Sequence, residues 1–310
     1  MTQSHRHHAV SISSAQSPSA PPAPANFTRE HHQAPQGSRE YLLYVPPRRR
    51  SKRRLIIMLH GCHQDADDFA LATRMNLHAR QYNACVAYPS QSRHANPGNC
   101  WNWYEAAHQR RAYGEPAILA DLTRFLCRTH QINPDQTFIA GFSAGAGMAA
   151  TMAVVYPELY AALGIHSGVA HGAVRDFLSA LITMQHATLS SHAPHPLHER
   201  IPTIVFHGDA DNMVHPTHAE QFFGHAAAPG AVIPGCKLTE TVAPDAGRHG
   251  YTRTAHLDER RRIFSEQWLV HGGGHAWYGG DPSATHADPS GPDAAAEMMR
   301  FFACRQASHA

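Results

Sequence analysis

The chain reads as an α/β protein with a mostly parallel central sheet flanked by helices, and three observations predict that class. Short apolar, β-rich runs alternate with longer segments of helical period from Tyr41 onward, as in sheets whose strands are joined by covering helices. One of those runs passes directly into a helix through Gly141-Phe142-Ser143-Ala144-Gly145, a glycine-flanked strand-to-helix elbow. Hydrophobic residues make up 43% and charged residues 16% of the 310, apolar enough to bury a sizeable core. One domain preceded by a tail is the economical organisation at this length.

Residues 1–38 are rich in Ser, Pro, Ala, Gln and His and hold too few large apolar groups to offset the entropy of ordering them, so a disordered tail is expected there. Strands are expected at residues 41–45, 55–59, 84–88, 137–140, 162–166, 203–206 and 268–270, each a short apolar run of the kind buried in a sheet centre. Helical spacing places helices at 66–82, 115–130, 146–155, 217–225 and 293–302, the last two starting near turn or capping residues. No internal repeat is visible.

A net charge of +2 creates no field that would recruit nucleic acid or an anionic membrane, so neither is expected as a partner. The basic run Arg48-Arg49-Arg50-Ser51-Lys52-Arg53-Arg54 lies between two strand-like runs and is read as a solvated hairpin loop. Histidine is abundant at 27 residues, yet no HExxH, CxxC pair or Cys/His cluster accompanies it, and no metal or other cofactor is expected. The six cysteines are too widely spread for a disulfide-dense scaffold. No apolar run of about eighteen residues predicts a transmembrane helix, and the N-terminus lacks the apolar stretch of a signal peptide.

The chemistry starts at Ser143. In Thr137-Phe138-Ile139-Ala140-Gly141-Phe142-Ser143-Ala144-Gly145 the strand meets GxSxG and a small-residue helix follows, the setting that a nucleophile elbow demands. Gly141 and Gly145 let the backbones approach while Ser143 projects. A serine hydroxyl is a poor nucleophile near neutral pH, so it needs a base, and the base needs an orienting carboxylate. In the α/β-hydrolase fold these follow in the order serine, acid, histidine. Two downstream segments comply: Phe206-His207-Gly208-Asp209-Ala210-Asp211 and Val270-His271-Gly272-Gly273-Gly274-His275. Spacing leaves two choices in each. Asp211 is favoured over Asp209 because it lies deeper in the loop. His275 is favoured over His271 because a triple-glycine loop can carry it over the nucleophile. An oxyanion needs two N–H donors, one from Ala144 and one after an early strand. Leu59-His60-Gly61-Cys62 offers the Cys62 N–H, unless that segment is an ordinary β-turn.

These residues resemble one family, the esterases of the polyhydroxybutyrate depolymerase type with their feruloyl and acetyl-xylan esterase relatives. The likeness runs through Leu59-His60-Gly61-Cys62, Cys100-Trp101-Asn102-Trp103, the Ser143 elbow, His166-Ser167-Gly168, His207-Gly208-Asp209-Ala210-Asp211, Gly274-His275-Ala276-Trp277 and Asp288-Pro289-Ser290-Gly291-Pro292-Asp293-Ala294, from about Arg39 to the end. It implies an α/β-hydrolase catalytic domain over residues 39–310, a Ser143, Asp211 and His275 triad, and cofactor-free hydrolysis of polyester or its oligomers. Ala146, where the family commonly has a second glycine, departs from the pattern. The resemblance also implies a Cys62–Cys100 disulfide, which would favour an extracellular or periplasmic location. Trp101, Trp103 and Trp277 fall near the catalytic segments, and aromatic walls suit hydroxyalkanoate or aromatic acyl groups alike. A carbohydrate esterase is the alternative within the class, and a non-catalytic binding protein on a hydrolase scaffold is the alternative outside it.

Overall fold

In the computed structural model, which describes residues 26–47, 51–186, 201–223 and 236–305, the apolar runs become the centre of a ten-stranded sheet. Its strands are β1 (Asn26–Ala34), β2 (Gly37–Val45), β3 (Arg53–Leu59), β4 (Ala84–Pro89), β5 (Ile132–Phe142), β6 (Ala162–His166), β7 (Thr203–Gly208), β8 (Lys237–Val242), β9 (Tyr251–Leu257) and β10 (Ile263–Val270). They lie in the order β1-β2-β4-β3-β5-β6-β7-β10-β9-β8. From β4 across to β10 all neighbours are parallel, and both edges are antiparallel. The helices are α1 (Ala66–Thr73), α2 (Met75–Gln81), α3 (Gly114–Thr129), α4 (Ala144–Val155), α5 (Phe177–Gln185), α6 (His218–Gln221) and α7 (Ala294–Ala303). Two short strands, β11 (Trp277–Tyr278) and β12 (Ala287–Asp288), pair in parallel beside the sheet.

Strand alternation divides the core in two. On β3, Leu55, Ile57 and Leu59 face one layer with Leu122 and Leu126 of α3 and Met148 and Met152 of α4. Ile56 and Met58 face the other, with Phe69 of α1, Met75 of α2 and Met298 and Phe302 of α7. A strand covered on both faces must be apolar at every position, which is why the central strands read as unbroken apolar runs.

Four expectations need correction. The tail does not extend to Ser38: residues 26–34 form β1, paired residue by residue with β2. Backbone pairing needs no apolar side chains, and the polar ones find partners, Glu30 accepting from the Tyr41 hydroxyl at 2.7 Å and His32 meeting Asp121 at 2.8 Å. Residues 1–25 lie outside the described residues. The basic run does not close a hairpin, because β2 pairs with β4 rather than β3; Arg48, Arg49 and Arg50 fall outside the described residues, and Arg53 and Arg54 belong to β3. The helix expected over 66–82 is two helices, broken where Arg74 takes a left-handed φ of 54° and caps α1 through its N–H to Ala70. The helix expected over 217–225 is the single turn α6, and residues 224 and 225 lie outside the described residues.

The chain passes from β3 to β4 on one side and then returns to place β5 on the other side of β3. Such a switch opens a crevice beyond the carboxyl ends of the two strands. Into it run Cys62, three residues past β3, and Ser143, immediately past β5.

Candidate active site

Ser143 sits at a strained elbow. Its φ of 54° and ψ of −119° lie where a side chain is disfavoured, a strain held by the surrounding structure. Its N–H donates to His166 O at 2.9 Å, and its own carbonyl accepts from Gly147 N at 3.1 Å. The glycines are steric necessities: a Cβ on Gly145 would lie 2.1 Å from Leu59 O, and one on Gly141 would lie 2.3 Å from Gly145 O. The same approach brings the end of β3 against the first turn of α4, so Cys62 and Ala144 come from abutting backbones. Ala146 is accommodated because Gly168 faces it, where a Cβ would lie 2.5 Å from the Ala146 Cβ.

His275 Nε2 lies 3.0 Å from Ser143 Oγ, and its Nδ1 lies 2.8 Å from Asp211 Oδ2. Asp211 Oδ1 accepts from Met213 N at 3.0 Å and Val214 N at 2.9 Å. Both carboxylate oxygens are thus engaged. Burial raises the Asp211 pKa, but hydrogen bonds from His207 and His275, the nearby His275 charge and the Val214 N–H outweigh it and hold the carboxyl well below its usual range. The competing pair is separate: Asp209 accepts from His271 Nδ1 at 3.1 Å and Gly272 N at 2.7 Å. His271 Nε2 meets Thr252 Oγ1 at 3.0 Å. Asp209 and His271 therefore bind the ends of β7, β9 and β10 together, and Asp211 and His275 address the serine.

Burial disfavours the charged form of three neighbouring histidines. Burial pushes His60 down to about 4 and His166 well below the ordinary value, and burial followed by His275 lowers His286. His166 accepts the Tyr278 N–H at Nε2, 3.2 Å, and stacks on Trp277 with ring centres 4.9 Å apart. Phe142 underlies His275 at 4.9 Å between ring centres.

Cys62 and Cys100 form a disulfide, and the other four cysteines, all among the described residues, are unpaired. The tryptophans require a correction. Trp101 and Trp277 have relative exposures of 0% and 1%, and Trp103 has 5%, so a substrate cannot lie against the first two in this conformation. Trp101 packs on His60 at 5.6 Å, Trp277 on His166, and Trp103 against Gly147, where a Cβ would lie 2.8 Å from its ring. They brace the catalytic backbone from behind, since their large apolar rings gain most from full burial. Two supporting residues carried a sequence signal whose role stayed unread. His207, in the motif that supplies Asp211, lies 3.4 Å from its Oδ2, and His60 precedes the Gly61-Cys62 turn. His286, whose ring centre lies 6.4 Å from that of His275, had none. Among the described residues no cluster of His, Cys, Asp or Glu has a metal-binding arrangement, and no helix is long and apolar enough to cross a membrane.

The parallel sheet with antiparallel edges, the serine elbow after β5 and the acid and histidine after β7 and β10 define an α/β-hydrolase. The chain belongs to the family described as Esterase PHB depolymerase, whose profile matches residues 39–228. It is 28% identical over 189 residues to feruloyl esterase B of Neurospora crassa, covering 56% of this chain and 64% of that protein. It is 34% identical over 125 residues to a poly(3-hydroxybutyrate) depolymerase of Ralstonia pickettii, covering 38% of this chain and 25% of that one. The chain thus spans less than two thirds of the length of each of these relatives. An acetyl xylan esterase from Aspergillus awamori shares the fold, with a TM-score of 0.63 at 19% identity over 90% of this chain and 99% of that one.

Proposed function

We propose that the protein is a serine hydrolase of carboxylic esters acting through an acyl-enzyme. The observation that carries the proposal is the relay in which one imidazole lies 3.0 Å from Ser143 Oγ and 2.8 Å from Asp211. His275, held by Asp211 in the tautomer with its proton on Nδ1, takes the serine proton as Oγ attacks the ester carbonyl. The N–H groups of Cys62 and Ala144 receive the oxyanion. His275 then protonates the departing alcohol, and water, activated the same way, releases the acid. No cofactor takes part in these steps.

Polyhydroxybutyrate-type polyester or its oligomers is the proposed substrate class, supported by the family to which the chain belongs and by the named relative of that activity. Feruloyl or acetyl-xylan esters are the second reading, supported by the relatives with those names. An extracellular or periplasmic location is proposed on the Cys62–Cys100 disulfide, since such bonds persist in oxidising compartments. The test is a panel of hydroxybutyrate oligomers, methyl ferulate and acetylated xylan offered to wild type and Ser143→Ala. Activity on one class, absent in the mutant, is expected. Activity that survives the mutation overturns the assignment, and wild-type protein inert toward short p-nitrophenyl esters and unlabelled by a fluorophosphonate would leave the binding-protein alternative.

A further inference from the structure

Behind the proposed oxyanion donor lies a buried polar network that no catalytic step above uses. His60 is fully buried. Its Nε2 accepts the Gln91 N–H at 3.0 Å, so its proton is on Nδ1, which donates to the carbonyl of Gly61 at 2.8 Å. Gln91 is fixed in turn: its side-chain amide donates to Cys100 O at 2.9 Å and to the buried carboxylate of Glu115. Glu115 also accepts from Asn102 N and Asn102 Nδ2, both at 2.9 Å, and faces Arg39. On the other side of the turn the Gly61 N–H donates to Gln64 Oε1 at 3.0 Å.

The carbonyl that His60 holds belongs to the peptide whose N–H is that of Cys62. No peptide among the described residues is cis, and in a planar trans peptide the C=O and N–H point to opposite edges. Fixing the Gly61 oxygen toward His60 therefore turns the Cys62 N–H to the opposite edge of the peptide, away from His60. We infer that His60 is a positioning residue for the oxyanion site, aiming the Cys62 N–H through the Gly61 carbonyl, with Gln91 and Glu115 holding its ring. This rests on the proposed role of Cys62. His60 has no exposed surface with which to touch substrate, and both of its nitrogens are occupied, so it is neither a binding group nor a second base.

Three replacements separate aim from folding. His60→Asn keeps a donor near the Nδ1 position, His60→Gln keeps an acceptor near the Nε2 position but loses that donor, and His60→Leu loses both. Losing a donor outright costs about a hundredfold to a thousandfold in turnover, and a misaimed one a part of that. Per active site titrated with a fluorophosphonate, kcat on a p-nitrophenyl ester should fall about tenfold to a hundredfold in Gln and Leu with KM within about twofold, and Asn should recover most of it. The inhibition constant of phenylboronic acid, whose serine adduct carries the oxyanion, should rise in parallel. Loss confined to the fraction of titratable sites, with unchanged kcat per site and unchanged boronate affinity, would reduce His60 to a folding role and overturn the inference. So would equal kcat in all three variants. A wild type with no esterase activity would instead sink the functional reading beneath it.

Discussion

Replacing Asp211 by Asn should remove almost all turnover while the same change at Asp209 leaves it nearly intact. Asp211 Oδ1 accepts two backbone N–H groups, from Met213 and Val214, and Oδ2 faces His275 Nδ1 at 2.8 Å. An asparagine must keep its oxygen toward the two N–H donors, because turning its NH2 group there would oppose donor to donor. The amide nitrogen then faces His275 and donates to Nδ1. That moves the imidazole proton to Nε2, where it points at Ser143 and can no longer accept from it. The wrong tautomer costs about 10⁴ in kcat in a comparable triad, about 5 kcal/mol of transition-state stabilisation. The Asp209 carboxylate accepts from His271 and Gly272, away from Ser143 and His275, so Asp209→Asn should lower kcat/KM by no more than about threefold, the effect of an exposed ion pair. Steady-state kinetics on a soluble p-nitrophenyl ester decide it, with thermal melts to confirm folding. Asp211→Asn retaining a tenth of the activity, or Asp209→Asn losing more than Asp211→Asn, refutes the assignment of the acid.

Stability should fall in mild acid. His60 is fully buried with a folded pKa of about 4 against 6.5, so between those values the unfolded chain binds the extra proton; its contribution is complete above pH 6.5 and lost as pH falls toward 4. That shift corresponds to about 3 kcal/mol, with His166, His218 and His286 lowered in the same direction. Urea unfolding from pH 7 to 4 measures it: the fall should shrink in His60→Asn, and a flat profile in wild type contradicts the burial argument. The disulfide closes a separation of 38 residues, for which chain entropy gives about 4 kcal/mol. Cys100→Ser or a reductant should therefore lower Tm, and should lower kcat more than it raises KM because Cys62 is one of the two joined residues. An unchanged Tm would place the stabilising contacts of this loop elsewhere.

The central sheet was legible because burial on both faces makes the buried stretches of β3, β4, β6 and β7 predominantly apolar, the polar residues falling at their ends. The edges were not. β8, Lys237–Val242, is exposed along its whole length and β1 along most of its length, so neither offers an apolar run or clean alternation, and what pairs them is backbone. The break at Arg74 was invisible because the helical period continues across it while a single φ reverses. Tryptophans beside catalytic segments suggested a substrate wall, yet proximity in sequence says nothing about which face of a loop a ring occupies, and Trp101 and Trp277 turned inward.

The chain by itself determined the fold class, the elbow at Ser143 and the order in which a serine, an acid and a histidine follow one another, because the elbow is written in residue types whose local geometry is compulsory: two glycines around Ser143, a strand before it and a helix after. Which aspartate serves which histidine was decided in three dimensions. Asp209 stays in register beside β10, its N–H donating to Val270 O at 3.0 Å, which aims its side chain at Gly272 and His271. Two residues on, the chain has turned, the Asp211 N–H returns to Gly208 O at 3.3 Å, and the carboxylate is carried beneath His275. Residues two apart in one loop differ in partner because the parallel pairing of β7 with β10 fixes where each strand ends, and that pairing joins segments more than sixty residues apart.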